Sequence, residues 1–403
     1  MWSRNWTKIA IGLGLLVLAV FTISKFEQVI QLTSNLQSSS TVITNPGKNN
    51  LDQNGSNNNN NNVNQDKSLL HGNATSSNGH SSELLNAAIV SLVRNENLEG
   101  IRRTIRQVED RFNKNYGYRY ILLNDVPFTD HFKKRVQAIV NRPIEFGLLD
   151  KESWGYSPYV EEEIVKQKLK ENKDKYIYGE SLSYRFMCRF QSGFIHKHPL
   201  LKDLDFYWRI EPDVDYYCEM PYDPFKLMKD NKYKYGFNIA PPEKSETVKT
   251  LWKTTREWIK DNIDLLPEKS FASLILNEKN EYNMCHFWSN FEIVDLSLYR
   301  SPAYESYFQH LDRAGGFFYE RWGDAPIHSI AAALFLTKDQ IHWYEDVGYH
   351  HPGYEHCPIP EELNNKCLCN VDKSFTKNSH CQRMYKEQKD ITRDELLKRL
   401  NII

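Results

Sequence analysis

The 403-residue chain carries 51 Lys and Arg against 52 Asp and Glu, a formal net charge of -1, and is 40% hydrophobic and 13% aromatic. That balance leaves no cationic surplus to neutralise a phosphate backbone, which argues against a nucleic-acid partner, and the aromatic content argues against a chain disordered throughout. Length and composition together suit one large catalytic domain with appendages.

In chain order, the uncharged apolar run Ile9 to Ile23 follows Arg4 and Lys8 and ends without a small-residue cleavage site. It reads as an uncleaved signal anchor over residues 9–25. Residues 1–8 then form a cytoplasmic tail, because positive charge flanks the N-terminal side. The run is short against the ~20 residues that span an average bilayer. The alternative is a cleaved signal and a secreted product. Residues 26–82, rich in Asn and Ser and including the run Asn57 to Asn62, hold too little apolar surface to order themselves and read as a stem. Two N-x-S/T triplets, at Asn54 and Asn73, fall within it.

From residue 83 to 403 apolar runs alternate with amphipathic stretches, the texture of a packed α/β domain. Ala87 to Val93 predicts a buried strand. Leu98 to Phe112 predicts a helix with Ile101, Ile105 and Val108 on one face. Tyr120 to Asn124 is a second strand, Asp130 to Val140 a helix, Pro143 to Leu149 a third strand and Phe206 to Ile210 a fourth. Together they suggest a Rossmann-like half, and no repeat of about 20 to 50 residues interrupts them.

Seven cysteines lie beyond the anchor. In an oxidising lumen they read first as disulfides, with an odd thiol left free or pairing between chains. Cys357, Cys367, Cys369 and Cys381, interleaved with histidines, offer zinc as the alternative, although their spacing matches no usual finger.

Chemistry concentrates in Trp208 to Tyr216 (WRIEPDVDY), where an apolar strand runs into three alternate acids. If the backbone stays extended, Glu211, Asp213 and Asp215 project to one side and repel. A divalent cation relieves that repulsion at the strand ends where ligands of open α/β sheets collect. The alternative is a Pro-Asp turn with solvated acids. No G-x-G-x-x-G or Walker sequence is present, so a hard metal would have to grip any nucleotide diphosphate. Asn283 to Ile293 (NMCHFWSNFEI) mixes aromatic faces with Ser289, Asn290 and Glu292, which suits a sugar or, equally, a core strand behind a polar turn. Asp324 precedes Pro326 and so is a catalytic candidate or a helix cap. His351, in Asp346 to Pro352, is a structural histidine or, beside carboxylates, a manganese ligand.

These segments together resemble the fungal Golgi α-1,2-mannosyltransferase family, glycosyltransferase family 15. The likeness runs from about Ala88 to Cys381. It rests on Leu92 to Asn95, Leu123 to Phe128, Ser183 to Phe190, Glu211 to Asp213, Cys285 to Glu292, Arg321 to Asp324 and Gly348 to Pro352. The anchor and stem agree with that family's type II Golgi layout. The resemblance implies a GT-A-like α/β fold with a mixed central sheet, GDP-mannose as donor, Mn²⁺ as cofactor, mannose-bearing glycans as acceptors and retention of configuration. It places Arg94, Asp125 and Asp213 on the nucleotide, Glu211 and His351 near the metal, and Tyr184 on the acceptor mannose. Asp324 and Glu292 become the active-site carboxylates, with Glu292 matching a proposed nucleophile. Gln191 departs from the pattern, which has an aromatic residue there. Two other functions stay in view: mannosylphosphate transfer, found in the same family, and a non-enzymatic luminal mannan-binding protein.

Overall fold

The computed structural model describes residues 84–403; the anchor expected over 9–25 and the stem expected over 26–82 lie outside the described residues. Among the described residues no helix is long and apolar enough to cross a membrane.

Within the described residues twelve strands run β1 Ala87–Leu92, β2 Arg119–Asn124, β3 Ile144–Leu148, β4 Phe206–Arg209, β5 Asp215–Tyr216, β6 Tyr235–Phe237, β7 Lys269–Ser270, β8 Glu292–Asp295, β9 Ile341–Trp343, β10 Tyr349–His351, β11 Tyr354–His356 and β12 Ile391–Thr392. Seven of them build a central sheet in the order β3-β2-β1-β4-β8-β6-β9. All neighbours in it pair in parallel except β8, which is antiparallel to both β4 and β6, so the sheet is mixed as expected. The strands are apolar along both faces because both faces are covered. Alternation sends Ala88, Val90, Leu123 and Tyr207 into one core, and Ile89, Leu122 and Trp208 into the other.

The second core is closed by helix Leu98–Arg111, through Ile101, Ile105 and Val108, and by helix Asp130–Gln137, whose cap Thr129 accepts from the Phe132 amide. The first core is closed by helices Leu182–Gly193, Leu251–Asp261, Pro302–Ala314 and Asp324–Phe335. Helix Pro302–Ala314 has Ser301 as cap and Pro at its start, and ends at Gly315, whose φ of 72° favours glycine. The buried pair Arg189–Asp312 ties it to helix Leu182–Gly193 through two bonds of 2.7 and 2.9 Å.

Cysteine pairing decides between the two readings of the C-terminal cluster. Disulfides join Cys218 to Cys367, Cys285 to Cys381 and Cys357 to Cys369, which removes the zinc alternative. Cys188 is the free thiol and lies buried, out of reach of another chain.

Candidate functional site

Strands β1, β2, β4 and β6 all end at one edge of the sheet, and β8, running the other way, begins there. A cavity of about 800 Å³ opens at that edge. Each strand delivers its next residues to the lining: Arg94 after β1, Asp125 after β2, Glu211 after β4, Glu243 and Lys244 after β6, and Trp288 to Asn290 before β8. This is where ligands of open α/β sheets bind.

Of the residues expected to act, Arg94, Asp125, Tyr184, Glu211, Asp324 and His351 all line this one cavity. Asp213 does not, and this corrects both its expected place on the nucleotide and the projection of three acids to one side. The backbone turns left-handed at Asp213 (φ 60°), breaking the alternation after Glu211. Its exposed carboxyl lies against Gly100, where an added methyl would stand 2.6 Å from it. Asp215 is spent elsewhere, in β5, paired with Arg103, with Gln107 at 2.9 Å and with His350 at 3.4 Å.

The charge that organises the cavity was not among the expected residues. Arg209, last in β4, donates to Glu211 Oε1 through Nε (2.8 Å), with Nη2 2.7 Å from the same oxygen, and to Asp324 Oδ2 through Nη1 (2.7 Å). Ser289 Oγ donates to the same Asp324 oxygen at 2.6 Å. Asp324 is the first residue of its helix, with Gly323 at the capping position, so its side chain is free for Arg209. Burial opposes its charge, but Arg209, His328 and the Ser289 hydroxyl outweigh burial and hold it below the usual carboxylate range. A sequence signal for Arg209 existed: it precedes Glu211 by two positions, the spacing that places side chains on one side of a strand.

Glu292 does not line the cavity. It opens β8, opposite Arg209 across the strand pair, and is fully buried. Hydroxyls of Tyr207, Tyr235 (2.8 Å) and Tyr299 (3.4 Å) donate to it, and His328 Nδ1 lies 3.0 Å away. Burial opposes this charge too; His328, Arg209 and the Tyr207 hydroxyl outweigh it and hold the carboxyl low. Gln191, the departure from the pattern, is buried, with its carbonyl 3.2 Å from His328 Nε2, and does not reach the cavity.

Two other walls matter. Trp288 packs edge-on against His351 (4.7 Å) and Tyr354 (5.1 Å). Arg321 lies over the rings of Tyr184 (5.2 Å) and Tyr176 (5.6 Å). Among the described residues, Asn124 Nδ2, His286 Nδ1 and Arg321 Nε, all in side chains of the lining, find no hydrogen-bond partner. Unpaired buried polar atoms gathered around a cavity are what a polar ligand satisfies.

The donor set fits a hard cation shared with a ligand. His351 Nδ1 lies 3.1 Å from the Pro352 carbonyl, so that nitrogen carries the proton and Nε2 keeps its lone pair. Burial, against the pull of Glu211, lowers the His351 pKa below its ordinary 6.5 and keeps the ring neutral. Arg209 occupies one Glu211 oxygen and leaves the other for a metal. No cluster of three His, Cys, Asp or Glu occurs among the described residues, so the remaining ligands would come from the bound molecule and water.

Residues 39–390 match the family described as glycolipid 2-alpha-mannosyltransferase. The chain is 49% identical over 293 residues to the glycolipid 2-alpha-mannosyltransferase of Saccharomyces cerevisiae, covering 72% of this chain and 66% of that one. It is 49% identical over 298 residues to glycolipid 2-alpha-mannosyltransferase 1 of Candida albicans, with 72% and 69% covered. Its fold is similar to that of the mannosyltransferase Ktr4p from S. cerevisiae in complex with GDP: TM-score 0.71, 40% identity, 76% and 82% covered. The Mn/GDP form of core-mannan synthase A from Aspergillus fumigatus gives a TM-score of 0.70 at 37% identity, with 80% and 87% covered.

Proposed function

The chain belongs to the glycolipid 2-alpha-mannosyltransferase family, glycosyltransferase family 15, and from that premise we propose that it transfers mannose from GDP-mannose to a mannose-bearing glycan, forming an α-1,2 bond with retention. The observation that carries this is the gathering of Glu211, His351, Arg209, Asp324 and Tyr184 on one cavity at the sheet edge, in a chain 37% identical to a protein with an Mn/GDP form. The fold is accordingly read as GT-A-like.

Glu211 and His351 would hold Mn²⁺, which when bound supplies positive charge to the departing diphosphate. Arg94 and Asp125, which line the cavity at the ends of β1 and β2, would meet the nucleotide, with the unpaired Asn124 amide beside them. Arg209 sits between Glu211 and Asp324, bonded to both, and its charge helps hold the Asp324 carboxyl below the usual range. Of the two carboxylates expected in the chemistry, Asp324 opens on the cavity and would face the developing positive charge on the sugar. Glu292, one layer beneath, contributes its charge through Arg209 and the strand pair, so electrostatic support of the reacting sugar suits it better than direct attack. Tyr184 supplies the acceptor wall.

The three disulfides support an oxidising lumen, and with the anchor reading they favour a type II Golgi enzyme bearing its catalytic domain in the lumen. Incubating the chain with GDP-mannose, Mn²⁺ and an α-mannoside tests the reaction. An α-1,2-linked product is expected by linkage analysis, and an acid-labile phosphodiester would replace this reading with mannosylphosphate transfer. Glu211→Ala is expected to weaken Mn²⁺-dependent GDP binding by calorimetry; an unchanged metal dependence removes Glu211 from the site.

A further inference from the structure

The turn before helix Leu182–Gly193 leaves two large apolar side chains in the open. Ile177 is 65% exposed and Tyr178 56%, and both line the cavity. Tyr178 lies flat on Tyr184, ring centroids 4.5 Å apart and planes 15° apart, so it covers one face of Tyr184 and carries the aromatic surface outward from the cavity wall toward its mouth.

The backbone is built to hold the Tyr178 ring there. Tyr178 adopts φ 63°, a left-handed conformation that a bulky residue keeps only when its surroundings impose it. The fully buried guanidinium of Arg185 imposes it, donating through Nη1 to the carbonyls of Tyr178 (3.1 Å) and Ser181 (3.0 Å), and through Nη2 to those of Gly179 (2.9 Å) and Glu320 (3.1 Å). Gly179 is pressed so closely on helix Glu162–Asn172 that an added methyl would stand 1.8 Å from the Asn172 carbonyl. A buried charge devoted to three carbonyls of one turn, and tied through the Glu320 carbonyl to a second segment, fixes where Tyr178 points. Folding gains nothing from pointing an aromatic ring at solvent.

A pyranose has an apolar C–H face that packs on an aromatic ring and hydroxyls that need polar partners. Beside the stacked pair, Arg321 and Glu243 supply the latter next to Tyr184. Given the reading of the cavity as a mannosyltransferase site, on which this rests, we propose that Ile177 and Tyr178 form an outer acceptor subsite. It receives the mannose next to the one being extended, so that the enzyme selects acceptors of two or more mannose units.

The test compares kcat/KM for an α-mannobioside and for methyl α-mannoside. The intact chain is expected to favour the disaccharide about tenfold, the worth of one good aromatic contact. Tyr178→Gly suits the positive φ while removing the ring, and is expected to bring that ratio close to one; Ile177→Ser should lower it about threefold, and Tyr178→Phe should preserve it. A ratio near one in the intact chain overturns the subsite, as does an unchanged ratio in both Tyr178→Gly and Ile177→Ser. An equal loss on both acceptors assigns Tyr178 to supporting Tyr184 and overturns it too. If Tyr178→Gly fails to fold, Ile177→Ser decides, since that side chain is exposed. Failure of the intact chain to transfer to either acceptor would instead sink the mannosyltransferase reading itself.

Discussion

Arg209 is the residue on which the cavity's electrostatics depend. It is almost wholly buried and its guanidinium answers two carboxylates, Glu211 and Asp324, with the charge of Glu292 close behind. Arg209→Gln would leave those acids uncompensated in low dielectric, and loss of one partner of a buried pair costs about 3–5 kcal/mol. The sign of its pH dependence follows from the pKa directions. In the intact chain Asp324 and Glu292 lie below their ordinary values of 3.8 and 4.5. They stabilise the fold above those values, and that contribution is lost as pH falls through the folded pKa. Arg209 is the largest cause opposing burial at Asp324, whereas His328 leads at Glu292; without Arg209 the Asp324 pKa therefore rises, and its carboxyl opposes folding at neutral pH and ceases to once protonated. The deficit of Arg209→Gln in chemical denaturation is therefore expected to be largest at pH 7 and to shrink toward pH 4; a deficit that grows on acidification refutes this account. Glu292→Gln keeps the shape of the tyrosine cage while removing its charge. Turnover should fall about 100-fold or more, the scale of losing one preorganised electrostatic group. GDP affinity by calorimetry should change little, because Glu292 does not line the cavity; retained full activity would remove it from the chemistry.

The segment after β4 shows how an element can mislead while its neighbours read true. Trp208 to Tyr216 alternates as a strand would, but the left-handed turn at Asp213 ends the strand at Arg209 and sends one acid out, one in and one into β5. That reversal depends on a contact with Gly100, more than one hundred residues away, which no local pattern displays. Asp213→Asn accordingly tests the correction: Asn tolerates the same backbone, and GDP and Mn²⁺ affinities should stay within about twofold, as for a surface change. A larger loss would return Asp213 to the site. By contrast β1, β2 and helix Leu98–Arg111 were legible because each carries its own period in buried side chains: Ile89 and Val90 on opposite faces, and Ile101, Ile105 and Val108 on one. For β8 the alternative of a core strand behind a polar turn holds, but its antiparallel run beside Arg209 depends on strand order and could not be read locally. With it was hidden the burial of Glu292 outside the cavity, close in sequence to Trp288 and Asn290, which line it.

For the whole molecule, the C-terminal fifty residues act as a strap. The three disulfides tie residues 357–381 to each other, to Cys218 beyond β5 and to Cys285 just before the cavity segment Trp288 to Asn290. The number and position of the cysteines made an oxidised domain legible; their partners were not, because pairing depends on which loops the sheet order brings together. Their contributions should differ. Closing a loop removes unfolded-state entropy that grows with loop length. The bridge Cys285–Cys381, with a separation of 96 residues, is expected to stabilise by about 4.7 kcal/mol, and Cys357–Cys369, with a separation of 12, by about 3 kcal/mol. Accessibility points the same way for chemistry: Cys285 and Cys381 are both buried, whereas Cys367 and Cys369 are half-exposed, so a mild reductant should open the latter two bridges first. Alkylation after graded reduction, read by peptide mass spectrometry, gives the order. Denaturation of the paired Cys→Ser variants gives the energies. If the Cys285/Cys381 pair is the cheaper to remove, the strap does not work by restricting the unfolded chain, and its stabilisation must come instead from the packing of helix His380–Glu387 against the loop that carries Trp288.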